Sequence, residues 1–419
     1  MEVIPFNRGF HARAGAGLRH AFRSLRYRNY RLFFTGQAVS LIGTWMQQVA
    51  VSWLAYRLTG SAILLGTVVF CAQIPVFFLS PLTGALGDRW NRRNILLGTQ
   101  IFSMLQAFIF FLLTVTGIIA PWHIIALSLA LGVINSFEMP TRQAFLMEII
   151  DDKKDLPNAI ALNSAAFNSS RLIGPAIAGI VVAVAGEAVC FAVNSASYLA
   201  SAWALLIMRF VSAKNYSGKR FLDDLHEGFR YVRHNRLVRD MLAVVAFTSF
   251  FSMMFPVLLP IFASEVLMGD SHTFGFLVSG AGAGALSATM FLAMRTSIKG
   301  LGGVINLCMF SLAAAFMLLA APPLLFTVII MLALAGFSTI VVIASCNTIL
   351  QTVSESDKRG RVISFYIMAF TGAAPLGSLA AGYVSHRIGA PFTFFCAGLA
   401  CFAAGIFIFF RLRGKKYRA

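Results

Sequence analysis

Two ionisable residues interrupt apolar stretches of this 419-residue chain, Glu138 and Arg171. A charge in hydrocarbon costs about 2.5–3.5 kcal/mol on insertion scales, so such residues face a cavity or a partner. A carboxylic acid so placed is a candidate to take up and release a proton. Asn135, Glu138 and Arg142 fall on one helical face, as do Ser164, Asn168 and Arg171. Pro140 can end the helix just after Glu138. In that case Glu138 and Arg142 belong to a gate at the edge of a span; otherwise Glu138 is a proton-coupling residue, and both readings stay open. Arg171 is expected in a central cavity, where it would attract an anionic group or position Glu138.

Further upstream, Gln37, Ser40, Thr44 and Gln47 recur at steps of 3, 4 and 3, with Gln48 adjoining. This makes a polar stripe on an otherwise apolar helix, suited to lining water or a bound molecule. Gln73, Asn135, Asn168 and Asn194 extend the set of cavity candidates. The second half contrasts with the first. It has no Asp or Glu between Asp270 and Glu355, and Phe250, Phe251, Met253, Met254 and Phe255 crowd together. An apolar, adaptable wall is expected there, with the coupling chemistry in the first half.

No enzymatic set is present. Seven histidines are scattered without metal spacing, six cysteines lie in apolar stretches without a CxxC pair, and neither a phosphate-binding glycine loop nor a GxSxG elbow occurs. The expectation is therefore no enzyme, no metal and no cofactor.

The elements that must position these residues are membrane spans. The chain is 58% hydrophobic and only 12% charged. A span needs about 20 apolar residues, and without water its backbone must be helical. Such runs occur at 32–54, 62–86, 95–117, 122–143, 157–184, 188–210, 240–262, 273–294, 301–321, 323–346, 361–384 and 388–410. The fold class expected is an all-α membrane protein of twelve transmembrane helices in two six-helix bundles. Its units are a basic tail (1–31), a first bundle (32–210), a linker with an amphipathic helix (211–239), a second bundle (240–410) and a basic tail (411–419).

The net charge of +18 would suggest nucleic acid in a soluble chain, but its location decides otherwise. Of 34 Lys and Arg, only Arg57 and Arg387 fall in gaps after odd-numbered spans and Arg171 falls inside a span; the remaining 31 lie in the tails, in gaps after even-numbered spans, or at span ends abutting those gaps (Arg142, Arg209, Arg361). By the positive-inside rule both termini are cytoplasmic. The excess charge is expected to meet anionic lipid headgroups rather than nucleic acid.

The halves repeat in a parallel sense. Gly174, Gly179 and Gly186 precede Gly377, Gly382 and Gly389 by 203 positions each. Small residues at such intervals let helix backbones approach closely.

Between spans two and three stand Gly84, Asp88, Arg89, Arg92 and Arg93. The carboxylate can pair with the basic cluster or cap a helix N-terminus of the other half, holding one side shut. Arg142 joins this candidate gate. At these residues the chain resembles the major facilitator superfamily, although Asn91 stands where many members have a second glycine. The segments WMQQ at 45–48, LTGS at 58–61, MPTRQA at 139–144, RLIGP at 171–175 and KRGRV at 358–362 resemble its bacterial exporter branch, which includes the enterobactin exporter and macrolide-type efflux proteins. Gly174, Pro175 and Gly179 resemble the glycine-proline element of antiporter members, with Gly377 and Gly382 as their second-half equivalents in packing.

The resemblance implies a secondary transporter in the bacterial inner membrane. It would export an amphipathic small molecule by alternating access, with proton antiport as the expected coupling. Protons and membrane lipids are the other expected partners, and a monomer the expected state. A lipid or lysolipid flippase is the alternative within the fold. A non-transporting receptor or assembly factor is the alternative from another class.

Overall fold

The computed structural model describes residues 22–87, 90–150, 152–208, 230–295, 297–321, 324–355 and 358–412, with the side chains at 81, 82, 84–87 and 412 left aside. These residues are almost wholly helical. The first half holds α1 (Arg28–Thr59), α2 (Ala62–Gly87), α3 (Arg92–Val115), α4 (Pro121–Glu148), α5 (Leu156–Ala185) and α6 (Glu187–Ile207). The second holds α7 (Arg236–Val266), α8 (Ser271–Ala293), α9 (Leu301–Leu318), α10 (Leu325–Val353), α11 (Arg359–Ile388) and α12 (Ala390–Leu412).

Among the described residues, eleven helices, α2 to α12, are long and apolar enough to cross a membrane. The protein is thus an integral, multi-pass membrane protein. α1 has the length, at 32 residues, but carries the glutamine-rich stripe and basic residues in its first turn. The interval 211–229, with most of the expected amphipathic linker helix, lies outside the described residues.

Local chemistry sets the helix ends. Asn91 and Asn235 each accept backbone N–H bonds from the first turns of α3 and α7, and Asp270 does so for α8. One glycine makes each of the α5–α6 and α11–α12 turns: Gly186 and Gly389 both have φ +81°, a backbone region that favours glycine.

Prolines bend rather than end the spans. Pro140 lies inside α4, which continues to Glu148, so it does not terminate the helix after Glu138. The physical reason is a replacement donor. Pro140 cannot bond the Ser136 carbonyl, and Thr83 Oγ1 of α2 donates to that carbonyl at 2.5 Å. In α7 the helix breaks at Met253, three residues before Pro256, and finishes in a single π-turn over Phe262–Val266.

The core has a telling layout. One apolar cluster runs through both halves, joining Leu54, Phe110 and Phe191 to Phe262, Phe274, Phe316 and Phe394. It occupies the end of the bundle that carries the α1–α2 and α5–α6 turns. At the other end, where the basic turns lie, the core divides in two. Tyr30, Phe33, Leu96 and Phe145 form a cluster of the first half, and Val238, Met241, Ile305 and Cys346 one of the second.

Candidate functional site

A cavity of about 280 Å³ lies between the halves. Its first-half wall includes Thr44, Gln47, Gln48, Gln73, Gln106, Ser128 and Asn135; Phe370 and Thr371 of α11 face them. The sequence candidates Thr44, Gln47, Gln48, Gln73 and Asn135 therefore meet in one place. Gln37, Ser40, Asn168 and Asn194 are not on this wall. Gln37 and Ser40 are buried, next to Gly36, whose Cβ would meet Ala204 and Ser201 of α6. Asn168 donates back to Ser164 O of its own helix at 2.9 Å.

Asn194 stands behind the wall and supports it. Its Nδ2 donates to Gln47 Oε1 at 2.8 Å, Gln47 Nε2 donates to Gln106 Oε1 at 2.9 Å, and Gln106 Nε2 donates to Leu127 O at 3.1 Å. Ser197 Oγ bonds Asn194 Oδ1, while Thr44 Oγ1 and Tyr198 OH lie 3.2 Å apart. Four helices are tied by one chain of amides. Such a network fixes rotamers because each buried polar atom would be costly to leave unpaired. Gln106, Ser197 and Tyr198 were not among the sequence candidates. The signal for Gln106 was available: Gln100, Ser103 and Gln106 form a polar stripe at steps of 3 on α3.

Glu138 is buried and pairs with Arg142 at 3.2 Å, one turn along α4. It lies close enough to act electrostatically on Tyr198, at the margin of the amide network. Arg171 does not join Glu138. Its guanidinium lies over the Trp45 ring, 5.7 Å from the centroid.

Of the gate candidates, Asp88 and Arg89 lie outside the described residues, and Gly84 is known here only as part of α2. Arg92 pairs with Glu148 at the end of α4. Arg93 donates to Leu205 O and Leu206 O, both at 2.7 Å, capping the C-terminal carbonyls of α6. Arg142 is committed to Glu138.

The glycines divide by task. Cβ atoms on Gly174 and Gly377 would meet the first helix of their own half, at Trp45 and Ile42 O of α1 and at Phe250 O of α7. Gly179 and Gly382 instead meet the other half. A Cβ on Gly179 would lie 2.8 Å from Ser271 O and 3.1 Å from Gly275 Cα of α8; on Gly382, 2.6 Å from Ala62 O and 3.2 Å from Gly66 Cα of α2. Ser271 Oγ donates to Gly179 O, and Ser378 Oγ to Gly66 O, at 3.3 Å in each seam. Both seams lie toward the end with the continuous core. Tyr56 OH also donates there to Glu265 Oε1 at 2.8 Å, and Trp53 stacks on Phe274.

The second-half wall differs from expectation. Phe251, Met254 and Phe255 are buried in the core, with Phe255 against Phe316 and Phe394. Of that sequence cluster, Met253 reaches across at the break in α7, its Sδ accepting from Gln73 Nε2 at 2.8 Å.

Residues 19–419 match the family model described as "Transmembrane secretion effector". The staphyloferrin A transporter of Staphylococcus aureus is 26% identical over 93% of this chain and 97% of its own length. The multidrug efflux pump Tap of Mycolicibacterium fortuitum is 24% identical over 87% and 91% respectively. Macrolide efflux protein A of Streptococcus pyogenes is 20% identical over 89% and 94%. The solved nucleoside transporter NupG superposes with a TM-score of 0.73 at 13% identity, covering 94% of this chain and 100% of that one. A bacterial homologue of the lysosomal transporter Spinster, inward-facing and occupied, superposes with a TM-score of 0.70 at 12% identity, covering 93% and 97%. The chain is a transporter and not an enzyme: it belongs to the transmembrane secretion effector family of the major facilitator superfamily.

Proposed function

We propose that the protein exports an amphipathic small organic molecule across a bacterial cytoplasmic membrane by alternating access, in exchange for protons. In this reading α1 is a twelfth span, both termini are cytoplasmic, and the basic end of the bundle faces inward. The observation that carries it is the core, continuous between halves at one end and divided at the other. Such a body can rock about the cavity between its halves while the glycine seams open and close. The relatives named for siderophore and drug movement support the direction and the class of cargo.

Glu138 is the proton-coupling candidate in this reading, because it is the buried acid beside the amide network. Arg142 would pair with it in one state and release it in another. Asp88 and Arg89, with Arg92 and Arg93, would act as the inner gate. The protein would work as a monomer among lipids whose anionic headgroups meet its basic end.

Reconstituted vesicles test the proposal: export of a panel of drugs and siderophores, measured with and without a proton gradient. Gradient-dependent export of panel members is expected. Export indifferent to the gradient would remove antiport, and no export at all would remove the transport reading. A lipid flippase is the second reading, favoured by the apolar groove of about 990 Å³ between α3 and α4, lined by Phe102, Val133, Ile134 and Phe137. It predicts movement of labelled lipid without a pH gradient.

A further inference from the structure

Arg171 is held in place yet left without an anion. Among the described residues no carboxylate comes within 4.0 Å of its guanidinium, and Glu138 is paired with Arg142. Protein surrounds Arg171 deeply. Its side chain nonetheless keeps part of its surface accessible.

The surroundings fix its position from three helices. Trp45 of α1 lies under the guanidinium and meets Phe167 of α5 edge-on at 5.8 Å. Gly174, three residues on, packs directly against Trp45 and the Ile42 carbonyl. Pro175 deprives the Arg171 carbonyl of its helical donor, and Gly282 of α8 packs against that carbonyl, where a Cβ would come within 2.6 Å. The backbone of Arg171 therefore stands at the seam where the two halves meet, level with the middle of α5, and its guanidinium reaches from there over Trp45.

A guanidinium stacked on an aromatic face keeps its edge N–H donors directed outward, in the fork that matches a carboxylate. A largely desolvated cation without a counter-charge is costly, and an anionic ligand offsets that cost. We propose that Arg171, Trp45 and Phe167 form a subsite for the carboxylate end of an amphipathic cargo, the two rings taking its adjoining apolar part. The inference rests on the export reading and names the charge of the cargo.

The test uses full-length protein in vesicles with 1-naphthylacetate and its primary amide, which differ in charge and little in shape. Wild type is expected to favour the carboxylate by about tenfold, the factor that roughly 1.4 kcal/mol corresponds to. Arg171→Gln is expected to bring the ratio close to one, and Arg171→Lys to keep part of the preference. Tryptophan fluorescence of the wild type gives a second readout independent of any Arg171 variant: the carboxylate should change the emission and the amide should not, and Trp45→Phe should abolish the change. Equal handling of the two probes, or an unchanged ratio in Arg171→Gln, overturns the subsite. Gradient-driven export of neutral or cationic panel compounds alongside that result would leave the export reading standing, whereas absence of export for every compound would remove that reading first.

Discussion

The two halves share a backbone plan and differ in what fills it. Gly174 and Gly377 seat α5 and α11 on the first helix of their own half, and Gly179 and Gly382 seat them on the other half. Around that common frame the first half is wired by Gln47, Gln106, Asn194 and Ser197, whereas at α7 the second half presents Thr248 to Met309 Sδ at 3.7 Å and packs Phe255 into aromatic neighbours. The lesson is a division of labour. In the proposed reading, close backbone approach serves both sides of a rocking body, whereas the polar framework serves the half assigned to charge handling.

The sharpest way to break the comparison is at the seams. Gly275→Val and Gly382→Val each put bulk against backbone of the opposite half, and each should reduce transport at least tenfold while the protein still inserts. Export assays paired with membrane yield check this. A large loss at one seam only would show that the seams are not equivalent.

The next contrast is between the wired and unwired interiors. Gln47→Leu strands Asn194 and Gln106, and should lower stability by about 2–3 kcal/mol, since a buried unpaired group costs about 1–3 kcal/mol. Thr248→Val gives up a weak sulfur contact and should cost under about 1 kcal/mol. Thermal unfolding in detergent compares them, and similar losses would erase the distinction.

Glu138→Gln sharpens the assignment of charge handling to the first half. Cargo binding should persist while the response of export to an imposed pH gradient disappears; a preserved response would move the coupling site elsewhere. The smallest effect is expected at Thr83→Val, which removes the donor to the carbonyl left free by Pro140. A loss of about 1 kcal/mol in thermal stability is expected, and no loss would mean that α4 tolerates the bend unaided.

How much was legible in the sequence follows from which interactions are local. Hydropathy located α2 to α12 because burial in lipid acts on every residue of a span. α1 is less apolar as a helix than as the shorter run 32–54, because its extended first turns carry Arg28 and Arg31 and its stripe is rich in glutamine. Glycine spacing conveyed the repeat, since backbone contact leaves side chains no alternative. Pairings across the chain were not readable. Arg57 stood out only as a basic residue in an odd-numbered gap, yet it holds the buried Glu187, 130 positions away, through bonds of 2.7 and 3.1 Å. Pro140 was ambiguous for the same reason: the donor that rescues α4 comes from Thr83 on another helix. The cavity wall was legible in Gln48, Gln73 and Asn135, but spacing alone could not tell a residue that lines the cavity from Gln37 or Asn194, which lie behind it.

The central claim, that the halves rock about the cavity between them, is tested most directly by spin-label distances at both ends of the bundle. In a cysteine-free background, one pair would join the exposed positions Thr59 and Met268, and a second would join Met147 and Thr352. During turnover the 59–268 distance should lengthen as the 147–352 distance shortens. Export with both distances unchanged would contradict the account.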